Sequence, residues 1–554
     1  MRALRGISSR VSAQLLIAVA LFAVAALVVV PLVRLVQVVV EGGGSSISRV
    51  LSAADLTAAE HSLELAVAVP LLAVPLGTGL ALLLRHADVP CRGLLRVLVV
   101  LPLLIPQFVL GYSWTQAYGR AGFTDDLVGV HWSGLTGPAG IIVVLVVDAV
   151  PICYLLTTVG LATRAQPELE LASRVSGATG WAALRTVTLP LLRPVLAAEI
   201  VLVFVATLES FAAPQVLGAP SGYATLTTRM YADLSRGSNP DTFRDAVTLA
   251  LGLVLIAAAL LVPADLVLAP KLRSSRAASA GGGQPPRRRG GAVVAALVAV
   301  YSILAVLLPT VALVAAAITR AIGLPPTPSN WTLGNFRAAL DAPTREALGN
   351  SLQLAVLAAL ALTALGAIVA ALERYRSGRL LGTLAMLTFA VPGSALAVGL
   401  LIAYDRTLGG TLALILLAYL AKFWALAHRT ISGAVDRMPA GEWQAARVSG
   451  AGPVVAVRTV WLPGLAPALA AAAVLVFVTA LHEVTMSSLL YSTGTETFAV
   501  AVLNSQQLGD TGTTAALSVT LTAVLVVIAV PAWLLLRRQA HHRVSADRVE
   551  MASA

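Results

Sequence analysis

Asp148, Glu209, Lys422, His482 and Glu483 are ionisable side chains set in stretches that are otherwise apolar. Where such stretches cross lipid, each charge costs about 2.5–3.5 kcal/mol on insertion, so each needs a chemical reason. Glu209 and the His482–Glu483 pair stand at matching places in two similar segments, "VLVFVATLESF" from Val201 and "VLVFVTALHEV" from Val474. They suit the lining of a pathway that meets a cationic or chelated solute; the plainer alternative is hydration near a membrane interface. Asp148 and Lys422 fall within one residue of equivalent depth and suit an ion pair between two halves of the chain. Alternatively, Lys422 snorkels to a surface about 10 Å away along its helix.

Other chemistry has no foothold. A phosphate-cradling GxxxxGK[ST] is missing, since "GGGQPPRRRGG" lacks the Lys-Ser/Thr and a preceding buried strand. No nucleophile elbow or His-Glu metalloprotease motif occurs, and His541 and His542 read as solvated tail residues. Cys91 and Cys153 offer neither a stabilising disulfide nor metal-ligand spacing. The chain is therefore expected to be no enzyme, to hold no metal and to carry no cofactor of its own.

The elements that position these residues follow from composition. Of 554 residues, 58% are hydrophobic and 12% charged, with a mean hydropathy of +0.86. That is more apolar surface than a soluble core can hide. Apolar windows of about 20 residues, enough to cross roughly 30 Å of hydrocarbon, recur twelve times, near 12–33, 62–84, 94–116, 139–162, 192–216, 245–269, 292–319, 349–372, 380–403, 411–428, 464–490 and 513–536. Backbone in lipid must satisfy its own hydrogen bonds, so these are helices. The fold class is all-α integral membrane, twelve helices in two six-helix parallel repeats. The first window is expected to stay as a signal anchor, being too long for a signal peptide's core.

With the amino terminus inside, the segments at one set of helix ends collect 27 of the 38 basic residues, including Arg85, Arg164, Arg174, Arg185, Arg447 and Arg458. Both termini are thus expected in the cytoplasm. The net charge of +11 is spread through short loops and reads as a signature of insertion, not of nucleic-acid binding.

Residues 1–270 form a first transmembrane domain, 271–291 a cytoplasmic linker rich in Gly, Pro and Arg, and 292–554 a second transmembrane domain. The halves repeat: "HSLELAV" at His61 answers "NSLQLAV" at Asn350. Six helices per half make the repeat parallel, with a pathway expected between the halves.

The strongest repeat is polar. "ASRVSGATGWAALRTVTLP" from Ala172 and "AARVSGAGPVVAVRTVWLP" from Ala445 share twelve of nineteen positions, among them Arg174 with Arg447, Gly177 with Gly450, and Pro190 with Pro463. Each copy follows the fourth helix of its half. Pro167 suits a first helical turn, Glu168 and Glu170 favour its dipole, and Gly177 permits the turn that ends it; Pro439, Glu442 and Gly450 stand similarly. A short helix is expected across the cytoplasmic face. Such helices often rest on lipid, but the small residues Ala172, Ser173, Ala445 and Ala446 suit close packing into another protein.

This pattern resembles the EAA loop of importer-type ABC permeases: Glu-Ala-Ala, three residues, Gly, and a Leu-Pro some thirteen residues on. Gly177 and Gly450 match the loop glycine, and Leu189-Pro190 and Leu462-Pro463 its end. At the Glu position stand Leu171 and Gln444, with Glu170 and Glu442 displaced by one and two residues. The likeness covers nearly the whole chain, which is similar to the fused six-plus-six permeases of the ferric iron type; "LESFAAPQVLGAPSGYATLTTRMY" and "LHEVTMSSLLYSTGTETFAVAV" carry it further.

The resemblance implies a permease in which two copies of a separate ABC ATPase subunit, using ATP and Mg, dock on Glu170, Ala172, Arg174, Gly177, Glu442, Ala445, Arg447 and Gly450. It also implies an external solute-binding protein near 217–244 and 490–512. Thiamine and aminoalkylphosphonate permeases share this build. The rival from another class is an ion-gradient-driven secondary transporter, but its Gly-Asp-Arg motif is not matched by "RHADVPCRG". A membrane scaffold would not need two equivalent docking loops.

Overall fold

The computed structural model describes residues 14–42, 52–164, 166–236, 239–274, 290–321, 323–373, 379–389, 391–436, 438 and 440–553. They are helical almost throughout, and among them the one β feature is an isolated bridge between Thr319 and Trp331. Ten of the twelve apolar stretches are single helices long and apolar enough to cross a membrane. The other two differ from a continuous helix. The third is a pair, Arg92–Leu104 and Gln107–Val128, bent by 106°; the ninth is Arg379–Phe389 followed by Gly393–Leu408. Both breaks sit at a proline, Pro106 and Pro392, which N-caps the second piece from an extended ψ of 141° and 137°. The linker at 271–291 lies largely outside the described residues.

Other prolines are absorbed by a bulge. Proline has no N–H, and its ring collides with the carbonyl four residues back. In four helices the residue just before a proline donates five residues back instead: Val30 to Ala25, Leu189 to Leu184, Leu308 to Ile303 and Leu462 to Val457. One extra residue in a π turn moves the ring clear of the clash. The cost is a carbonyl left without its helical donor, which lipid cannot supply.

Contacts divide the chain into two compact units, one built from 1–43, 340–504 and 523–554, the other from 44–339 and 505–522. The first helix of each sequence half thus packs with residues of the other half. In the first unit the Tyr404 hydroxyl donates to the Ala26 carbonyl at 2.7 Å, inside the π turn before Pro31, and Gly399 lets Gly393–Leu408 close onto Pro31. The second unit repeats this. Tyr118 donates to Leu304 at 2.6 Å and the Trp114 indole to Ala305 at 3.1 Å, the carbonyls freed before Pro309. Tyr118→Phe and Tyr404→Phe are each expected to destabilise their unit by about 1–2 kcal/mol, read as a fall in thermal unfolding temperature in detergent; an unshifted midpoint would refute the capping role.

Small residues set the closest helix contacts, as membrane packing favours. A Cβ on Gly77 would press on Cys153 and Tyr154, and one on Gly366, its counterpart in the second half, on Ala427 and His428. Beneath the first polar loop, Leu84, Val99, Leu161, Leu192 and Val298 form one buried cluster drawn from five elements.

Candidate functional site

Both copies of the repeated segment fold alike. Pro167–Val175 opens with proline, carries Glu168 and Glu170 in its first turn and ends at Gly177, whose φ is +89°. Ala178 donates to the Ser173 carbonyl at 3.0 Å, closing the helix end. Thr179 then caps Gly180–Ala183, which runs through the bulge at Leu184–Thr188 into Leu189–Leu208. In the second copy Ala440–Val448 ends at Gly450 with φ +85°, Ala451 donates to Ala446 at 3.0 Å, and Pro453–Ala456 leads through Val457–Trp461 into Leu462–Leu481. Positive φ explains both glycines, since a side chain there is strained. Pro190 and Pro463 are the residues that force the two bulges. Pro439 and the side chains of Glu442 and Arg447 lie outside the described residues.

Each loop exposes apolar side chains among its polar ones. Val175 is 89% exposed and Val448 88%, and Leu169, Leu171, Trp181 and Val455 are exposed as well. Ala172 and Ala445 lie open beside them. The sequence reading missed the two valines, although both sit in the shared "RVSGA". Glu170 turns the other way. Its carboxylate accepts from Arg174 at 2.7 Å and faces the His86 ring at 3.6 Å, so it ties the loop helix to the end of Ala53–His86.

Three of the residues singled out within the membrane, Asp148, Lys422 and Glu483, have hydrogen-bond partners nearby. The Gln107 amide, first after the Pro106 break, donates to Asp148 at 3.0 Å and accepts from the Ser210 hydroxyl at 2.8 Å. Lys422 donates to the Val391 carbonyl at 2.8 Å, just ahead of the Pro392 break. Asp148 and Lys422 belong to different units, and these bonds lie inside their own units. Glu483 accepts from the backbone of Met486 and Ser487 and from the Ser487 hydroxyl, at 2.7, 3.0 and 2.8 Å, pinning the turn after Val457–Leu481. Glu209 ends the matching helix Leu189–Leu208 and is half-buried. The His482 Nδ1 is buried with no hydrogen-bond partner.

Glu199 was not foreseen. It is fully buried in Leu189–Leu208, accepts from Thr157 at 2.9 Å through one oxygen and leaves the other without a partner. The signal was available as a lone acid in an apolar stretch, but its counterpart in the second copy is Ala472, so the repeat did not flag it.

The "HSLELAV" and "NSLQLAV" repeat holds the chain that follows the fifth and eleventh stretches. Ser62 accepts from Leu226 N–H at 2.8 Å and Ser351 from Phe498 N–H at 2.7 Å, each opening a short helix. Tyr223 stacks on His61 and donates to Glu64 at 2.7 Å; burial, then the Glu64 carboxylate, push its hydroxyl well above the usual phenol range. Among the described residues no group of three or more metal-ligating side chains is found.

Comparison with known proteins adds relatives. The family model described as "Binding-protein-dependent transport system inner membrane component" matches residues 73–269 and again 362–541. The Fe(3+)-transport system permease protein FbpB 2 of Haemophilus influenzae is 26% identical over 455 residues, 80% of this chain and 82% of its own length. The probable ABC transporter permease protein y4fN of Sinorhizobium fredii is 25% identical over 441 residues, 76% and 77% of the two chains. The molybdenum transport system permease protein ModB of Mycobacterium bovis is 32% identical over 206 residues, 36% of this chain and 75% of its own.

Proposed function

Because this chain belongs to the family of binding-protein-dependent transport system inner membrane components, we propose that it is the fused permease of an ATP-driven importer, moving ferric iron. ATP is hydrolysed, with Mg, by two copies of a separate subunit seated on the loops around Gly177 and Gly450. Their closure rocks the two halves so that a pathway opens alternately outward and inward, and an external binding protein delivers the cargo. Both termini and both loops face the cytoplasm, where the positive-inside bias puts them.

The observation that carries this reading is the exposed apolar knob beside each left-handed glycine. A valine nearly nine-tenths exposed, repeated at the same place in two loops, is surface waiting for a protein partner. Iron as cargo is supported by the FbpB 2 protein, which aligns along 80% of the chain. Molybdate is the second reading, favoured by the higher identity of the ModB proteins over a shorter stretch.

Vesicles holding the permease, its ATPase and its binding protein test both points. Radiolabelled iron should accumulate while ATP is regenerated, and continue when an ionophore collapses the proton gradient. Uptake that stops with the gradient and ignores ATP would assign the chain to secondary transport. Molybdate entry with iron excluded would reassign the cargo alone.

A further inference from the structure

His86 is the last residue of Ala53–His86 and the group against which Glu170 rests. Its Nδ1 lies 3.0 Å from the Leu82 carbonyl. A carbonyl only accepts, so the hydrogen is on Nδ1. The other nitrogen, Nε2, faces Glu170 Oε2 at 3.6 Å. In the neutral ring that nitrogen is a bare lone pair against a carboxylate, two acceptors face to face. In the imidazolium it carries a proton, and the contact becomes an ion pair.

Burial makes the difference count, because the His86 and Glu170 side chains are only 17% and 13% exposed. Arg85 and Glu170 share a cavity with the ring, Arg174 reaches it only through Glu170, and in the stretch that follows stand Asp88 and Arg92, whose guanidinium reaches the Ala87 carbonyl. Arg85, His86, Gln166, Glu170 and Thr188 enclose a cavity of about 10 Å³, room for about one water. The second copy has no such clamp residue, since Trp443 stands where Glu170 does in the first.

We infer that His86 is a positioning residue for the first ATPase-docking helix, acting as an imidazolium that grips Glu170 from the membrane side while Arg174 grips it from within the loop. This rests on the docking reading above. Motion of the loop is passed to Ala53–His86 through that grip, so loosening it lets the ATPase turn over without moving the helix.

The assay is the whole complex in lipid nanodiscs, reading ATPase attachment, ATP hydrolysis stimulated by iron-loaded binding protein, and iron released per ATP. His86→Phe is expected to leave attachment intact and lower iron per ATP roughly five-fold, a fraction of a buried pair's worth. His86→Arg, which keeps the cation, should restore the ratio. Joining His86→Phe to Glu170→Gln should cost no more than either alone. If the wild-type complex binds no ATPase, the docking reading fails. If attachment holds and His86→Phe matches wild type, or His86→Arg fails to restore the ratio, the role of His86 is overturned.

Discussion

Changing Val175 and Val448 together to aspartate is expected to strip the proposed ATPase partner from the permease and to abolish uptake, while the permease itself stays folded. The two side chains are 89% and 88% exposed, so within this chain a charge there costs almost nothing; surface changes of this kind usually stay within about 0.5 kcal/mol. In a docked complex the same positions are desolvated. A carboxylate forced into an apolar socket without a partner loses about 2 kcal/mol or more per site, the scale of an interface hot spot. Two sites lost together amount to about 4 kcal/mol, which weakens attachment about 700-fold. Co-purification of ATPase with solubilised permease measures this, with membrane abundance as the control. A double variant that still retains its ATPase would refute the docking surface.

Gly291→Val is expected to remove folded permease from the membrane. Gly291 begins the helix that crosses at 291–318, and a Cβ there would overlap the backbone carbonyl of Asp88, with the Val89 nitrogen 2.9 Å away. Backbone cannot swing aside as a flexible side chain can. Overpacking of that kind costs about 3 kcal/mol, which lowers the folded-to-unfolded ratio more than about 100-fold. Gly252→Ala is the comparison, because that helical glycine has nothing within 4 Å and should be neutral or slightly stabilising. Abundance in membranes and thermal unfolding in detergent separate the two. Equal abundance for both variants would show that the Asp88 turn yields.

The sequence made some of this plain and hid the rest for physical reasons. Twelve apolar stretches, two polar loops and their left-handed glycines are legible because hydrophobicity and positive φ leave local marks. Which prolines break a helix is not. Pro70, Pro75 and Pro151 stay inside continuous helices, while Pro106 and Pro392 sit at breaks, where the neighbouring Gln107 and Val391 bond to Asp148 and Lys422, partners that lie elsewhere in the chain. Partner choice among helices is equally hidden, because a helix apolar all round carries no stripe to say what it meets. That is why the exchange of first helices between the halves could not be foreseen. The resemblance puts Glu170 in the docking set, and its side chain faces His86, a contact across 84 residues that no local pattern encodes.

The tyrosine cap on the first helix bears on how this protein is made. The Ala26 carbonyl finds its donor in Tyr404, 378 residues later, and ribosomes add about 5–20 residues per second. For roughly 20–75 s the newborn helix sits in the bilayer with that oxygen unanswered, so an insertion chaperone or a trapped water has time to occupy the place before the chain's own hydroxyl arrives.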